Sequence, residues 1–230
     1  DCEIYELLQQ AGVKTNHEIS RCKDYEEYQT MSQANFNLVL HPEARFAAED
    51  FHDRLKIPFI ELRRLYQTDK IENQYRALGQ VLGVPFDQEV YKKAAEEAVE
   101  RFREVCPDAS FAVGECMNGD PFELALALVR YGFRVPEIYG TITAENFLYI
   151  RHLAELSQVS KVFSNMEPTM LYYDPSGSGV NLTIGKDAGY YHQDQPNAVW
   201  NQDRQPYGYA GVRRLFDTLT ETVLQKGEKV

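Results

Sequence analysis

No apolar run in this 230-residue chain approaches the roughly 20 residues that a membrane-spanning helix needs. The opening segment, DCEIYELLQQAGV, carries acids where a secretion signal carries positive charge, so the chain reads as cytoplasmic. Basic charge is scarce: 24 Lys and Arg face 35 Asp and Glu, for a formal net charge of -11. No basic field is left to attract phosphate backbones or anionic lipid, and nucleic acid and membrane surfaces are not expected partners. Cysteine is scarce as well. Cys2, Cys22, Cys106 and Cys116 match neither a zinc pair nor a ferredoxin-type run, and free thiols are the better reading. GxSxG, HExxH and repeated carboxylate motifs are all missing, so hydrolase templates find no support.

What the chain does have is alternation of strand and helix patterns. Ile4, Leu7, Leu8 and Ala11 fall at helical spacing, and Gly12 follows as a stop. Val13 to Ile19 reads as a short strand, Tyr25 to Met31 as a helix capped by Asp24, and NFNLVL at 35 to 40 as a buried strand. Pro42 then opens a helix whose apolar face is Phe46, Ala47, Phe51 and Leu55. KIPFIEL gives another strand, and residues 69 to 82 a helix closed by Gly83.

Residues 87 to 105 form a charge-laced helix with many i,i+4 pairs, suited to bridging two units. Beyond it the pattern repeats: strand SFAVGE, helix from Asp120 and Pro121 to Gly132, strand FRVPEIYG, helix 144 to 156, then strands KVFS, VNLTIG and AVW and a terminal helix. The expected fold is α/β, with two Rossmann-like units whose mostly parallel sheets are flanked by helices. The domains expected are 1–86, opening inside a βα unit because residue 1 is Asp and no strand precedes the first helix, and 87–230.

In open parallel sheets ligands bind outside the carboxyl ends of the strands. Four segments qualify here: His41 to Glu43, Gly114 to Asp120, Asn165 to Thr169, and Gly185 to His192. GECMNGDP has glycines that would let a backbone approach phosphate, but they do not fit GxGxxG and Glu115 and Asp120 repel anions; a plain turn is the better reading. GKDAGYYHQD gathers Lys186, Asp187, Tyr190, Tyr191, His192 and Asp194, and its plainer reading is a surface loop with tyrosines packed on the terminal helix. His41 closes a buried strand, where an imidazole can ligate metal or move protons, although a loop or capping histidine is commoner.

Taken in order, EIYELLQQAGV, ANFNLVLH, KIPFIEL, ALGQVLG, SFAVGECMNGDPFELALALVRYGFRV, VNLTIG and QPYGYAGVRRLF resemble the C-terminal half of nitrogenase component 1 proteins. That superfamily includes cofactor-scaffold proteins and dark-operative protochlorophyllide reductase subunits. The resemblance implies an oxidoreductase parent of three Rossmann-like domains that carries an iron-sulfur cluster or related metallocofactor. It also implies homo- or hetero-oligomers of component 1-like subunits, fed by an ATP-dependent iron-protein reductase.

The family's cluster cysteines lie in an N-terminal domain outside this sequence, so no cofactor is firmly assigned to this portion, which alone is expected to be inactive. Where catalytic subunits carry a cysteine ligand after the NLV strand, this chain has His41, and the run PNAVWNQDRQPYGYAG lacks the family's second, histidine ligand. Dinitrogen reduction is therefore not expected; action on, or assembly of, a metallocofactor or conjugated ring is. By that resemblance His41 is the first candidate as metal ligand or proton donor, with Glu43, Glu115, Asn165, Lys186 and His192 lining a cofactor cavity. A two-domain small-ligand clamp and a non-catalytic scaffold subunit are the alternatives.

Overall fold

The computed structural model of the chain describes residues 2–201 and 206–227, so residues 202–205 of the PNAVWNQDRQPYGYAG run lie outside the described residues. Contacts divide the chain into two compact units, each discontinuous in sequence: Glu3–Arg64 with Glu72–Gln88, and Leu65–Ile71 with Asp1–Cys2 and Glu89–Val230.

The smaller unit opens with α1 (Glu3–Gln10), which buries Ile4, Leu7 and Leu8. It ends where Gly12 takes φ 84°, a conformation open to glycine at no steric cost. The strand expected over Val13 to Ile19 does not form; that stretch is irregular and ends in a 3-10 turn at Ile19–Arg21. Most of it is exposed, and it pairs with neither sheet, so no ladder takes up its backbone groups. α2 (Tyr25–Thr30) starts under Asp24, whose side chain accepts the Glu27 N–H.

β1 (Asn37–Val39) pairs in parallel with β2 (Phe59–Glu61), and α3 (Arg45–Leu55) connects them after a 3-10 turn at Pro42–Ala44. The face expected on α3 holds only at Phe51, which is half-buried. Phe46 is 78% exposed and Leu55 47%, while Ala48 is buried. Arg45 sets the rotation, because its guanidinium donates to both Glu61 oxygens at 2.9 and 2.8 Å. His52 lies edge-on to Phe59, so Arg45 and His52 both face β2, and Phe46 is turned away. β1 is likewise less buried than its composition suggests, since only Val39 of its three residues is fully covered. Two three-residue strands offer little surface to cover.

α4 (Thr68–Leu82) ends at Gly83, φ 72°. On this unit's side, Tyr75 donates its hydroxyl to the buried Glu3 carboxylate at 2.8 Å.

The larger unit holds α5 (Glu89–Val105), β3 (Ser110–Val113), α6 (Pro121–Arg130), β4 (Arg134–Tyr139), α7 (Phe147–Leu156), β5 (Lys161–Phe163), β6 (Leu182–Ile184), α8 (Lys186–Tyr191), β7 (Asn197–Ala198) and α9 (Gly208–Gly227). Its sheet has the order β5-β4-β3-β6-β7, and every pairing is parallel. Alternation along β3 sends Phe111 to one face and Ala112 to the other. On the first face Phe111 joins Phe102 of α5, Phe133 and Phe216 of α9, with ring centroids 5.4 to 6.1 Å apart. On the second face Ala112 packs with Tyr139, Met170, Val180 and Ala188 of α8. Helices thus cover both faces, and the α/β class with parallel sheets stands. No described helix is long and apolar enough to cross a membrane.

Candidate functional site

The chain runs β3 to β4 to β5 in one direction, then returns to the far side of β3 for β6 and β7. Loops diverge at the β3/β6 junction, the position where open parallel sheets form a crevice. Because all five strands are parallel, the segments after β3, β4, β5 and β6 leave from the same edge.

Those segments meet in one polar cluster. Asp187, the second residue of α8, accepts the N–H groups of Glu115 and Cys116 at 2.8 and 3.1 Å. Asn165 Nδ2 donates to Asp187 Oδ2 at 2.7 Å and lies 3.4 Å from Glu115 Oε2. The Glu115 carboxylate also accepts the Thr141 N–H at 2.9 Å. The GECMNGDP loop is thus an amide cradle already filled by the chain's own carboxylate, which explains why a phosphate-loop reading fits it poorly.

Two glycines allow this closeness. Gly114 donates its N–H to the Ile184 carbonyl at 2.7 Å, and Gly185 takes φ 101°. A Cβ at Gly114 would sit 2.0 Å from Asp187 Oδ1 and 3.0 Å from the Ile184 oxygen. Gly114→Ala is therefore expected to displace Asp187 and cost about 1–3 kcal/mol through overpacking. Urea titration checks this; an unchanged midpoint would mean that the carboxylate does not hold that position.

The sequence candidates fall in three places. Glu115 and Asn165 belong to the cluster, and Lys186 begins α8, its N–H donating to the Cys116 carbonyl at 3.2 Å. His41 and Glu43 lie in the smaller unit, exposed, at the 3-10 turn after β1, where the His41 carbonyl accepts the Ala44 N–H. His192 is buried, 5% exposed. The loop expected over GKDAGYYHQD is instead largely helix α8, and Tyr191 stacks on Tyr139 of the sheet, centroids 4.8 Å apart and planes 9° from parallel, not on the terminal helix. α8 caps the switch point, and its short apolar face, Ala188 and Tyr191, is what the sheet takes up.

Sequence reading missed Glu137. It lies on β4, 3% exposed, and His192 Nε2 is 2.7 Å from its Oε2. Tyr139 donates to the same oxygen at 2.8 Å, and Tyr173 donates to Oε1. An ionised carboxylate only accepts, so the His192 bond requires the proton on Nε2. Burial alone would raise the Glu137 carboxyl, but the bonds from His192, Tyr173 and Tyr139 outweigh it and hold it below the usual range. The signal was present in VPEIY: a glutamate inside a strand with apolar neighbours must be buried with partners.

Among the described residues no three His, Cys, Asp or Glu side chains converge on a point where a metal ion could be held. Glu115 and Asp187 already spend lone pairs on protein N–H groups. Burial pushes the Cys116 thiol up, with Asp187 and Glu115 adding to the effect, which disfavours the thiolate that iron or zinc needs. The described residues do not by themselves fit a metal centre.

A model of the family described as nitrogenase component 1 type oxidoreductase matches residues 2–224. No curated protein sequence matches the chain closely enough to count as a relative. Among solved structures, one titled nitrogenase Cp1 at pH 6.5 shares the fold at a TM-score of 0.70 and 21% identity, over 99% of this chain and 57% of that one. The chain thus spans little more than half the length of that protein. With a family match running through both units and a parallel-sheet fold to accompany it, this chain belongs to the nitrogenase component 1 type oxidoreductases.

Proposed function

We propose that the chain is the C-terminal portion of a component 1-like reductase, with residues 1–86 and 87–230 as two of its Rossmann-like domains. The whole protein accepts electrons from an ATP-dependent iron-protein reductase and passes them to a metallocofactor or a conjugated ring. It works as an oligomer of component 1-like subunits, and this portion alone is inactive. When bound, the metallocofactor supplies the electron-transfer chemistry. This chain contributes His41 as a single ligand or proton donor beside Glu43, while Glu115, Asn165 and Lys186 present polar groups at the carboxyl edge of the larger sheet.

The family match across residues 2–224 carries this reading. The altered ligand positions, His41 where catalytic subunits have cysteine and no histidine in PNAVWNQDRQPYGYAG, support the second reading, a non-catalytic scaffold subunit.

Anaerobic purification of the full-length protein and of this chain, with iron, sulfide and molybdenum analysis and absorption spectra, separates the two. Iron in the full-length protein and none in this chain is the expected result. Absence of metal from both after cluster reconstitution overturns redox catalysis in favour of the scaffold. Full-length His41→Ala is expected to lose metal or activity; unchanged metal content and activity would remove His41 from the site.

A further inference from the structure

Two segments of the larger unit run between the buried Glu137 and the polar cluster at the sheet's carboxyl edge. Tyr173, bonded to Glu137 Oε1, lies eight residues after Asn165; His192, at Oε2, lies five after Asp187. Asn165 and Asp187 are themselves bonded at 2.7 Å, so the contacts close a ring: Glu137, Tyr173, Asn165, Asp187, His192 and back to Glu137. Each connecting segment is pinned by one buried residue, although most of residues 166–172 are exposed. The first is a 3-10 turn at Pro168–Tyr172 that buries Met170, the second is α8 with Ala188 fully covered, and both side chains join Tyr139 in one apolar cluster.

We propose that Glu137 is a positioning residue that acts through Tyr173 and His192 to preset Asn165 and Asp187, and with them the Glu115 and Cys116 amides. The buried network and the carboxyl edge then form one cooperative element. Anything that binds the edge and displaces Asp187 loosens the network, and loosening the network frees the edge, by reciprocal linkage. This coupling is independent of whether the whole protein is a reductase or a scaffold.

Amide hydrogen exchange on this chain tests it, because Glu115 and Cys116 lie far in sequence from every residue substituted. Tyr173→Phe, which keeps the ring and removes one donor, and His192→Leu are each expected to speed exchange at Glu115 and Cys116 by about tenfold. The β3 amides of Phe111–Val113 should change by less than about twofold, since local and global opening are separable. His192→Gln restores an N–H donor and should return exchange close to that of the unaltered protein. Unchanged exchange at Glu115 and Cys116, equal acceleration in β3, or no rescue by His192→Gln each overturns the proposal. If His192→Leu does not fold, Tyr173→Phe decides alone.

Discussion

Replacing Glu137 with alanine is expected to lower the unfolding free energy by about 3–5 kcal/mol, because it strands three hydrogen-bond donors around one buried acceptor site. The carboxylate is the shared acceptor for His192, Tyr139 and Tyr173, and its loss leaves their donors facing an apolar cluster built from Ala112, Met170, Val180 and Ala188. Each buried donor without a partner costs about 1–3 kcal/mol, and the methylene cavity adds to that. Glu137→Gln keeps one carbonyl acceptor and should cost less. The advantage of the native residue also depends on pH in a definite direction. A carboxyl held below its ordinary range contributes stability that is present above the unfolded value of 4.5 and is lost as pH falls through the folded one. Urea unfolding near neutrality and in acid reads both effects; a loss below about 1 kcal/mol near neutrality would mean that the network is solvated in the folded state.

How much of this was legible beforehand follows from what each residue responds to. Helix α6 was readable because its signals are local: Asp120 caps the Phe122 and Glu123 N–H groups, Pro121 fills the first turn, and Gly132 takes φ 90° after it. The strands of the larger sheet were readable for the same reason. The apolar face of α3 was not, since Arg45 and Glu61, sixteen residues apart, decide its rotation. At the candidate site, Glu115 and Asn165 were found through the rule that loops at carboxyl ends converge. Asp187 stood out only as one of many polar residues in its stretch; that its carboxylate fills the amide cradle depends on Gly114 and Gly185 lying side by side across two strands. Thr141 was missed because its backbone N–H, not its side chain, makes the contact. Glu137 was missed because an isolated acidic residue in a strand announces burial but not its partners, two of which, Tyr173 and His192, come from 36 and 55 residues downstream.

The second large effect concerns Glu123 and has the opposite sign. This residue is fully buried on α6, where its carboxylate accepts the Tyr66 N–H and the Gln67 Nε2, both at 2.9 Å. Burial raises its carboxyl from 4.5 to about 7; the Gln67 and Tyr66 bonds pull against that shift, and the nearby Asp120 adds to it. The folded state therefore holds a proton that the unfolded chain has lost between pH 4.5 and about 7, so stability falls as pH rises through that window. At 1.36 kcal/mol per pH unit the full effect is about 3 kcal/mol, complete just above neutrality. In Glu123→Gln the slope over this range should flatten. Urea unfolding of both proteins at about pH 5 and about pH 8 checks it, and native stability that rises with pH across the window would mean that the two donors keep the carboxylate ionised throughout. Glu137 favours the folded state only once it is ionised, and Glu123 only while it is protonated. The two contributions are both in place only on the acid side of neutral, above 4.5 and below about 7.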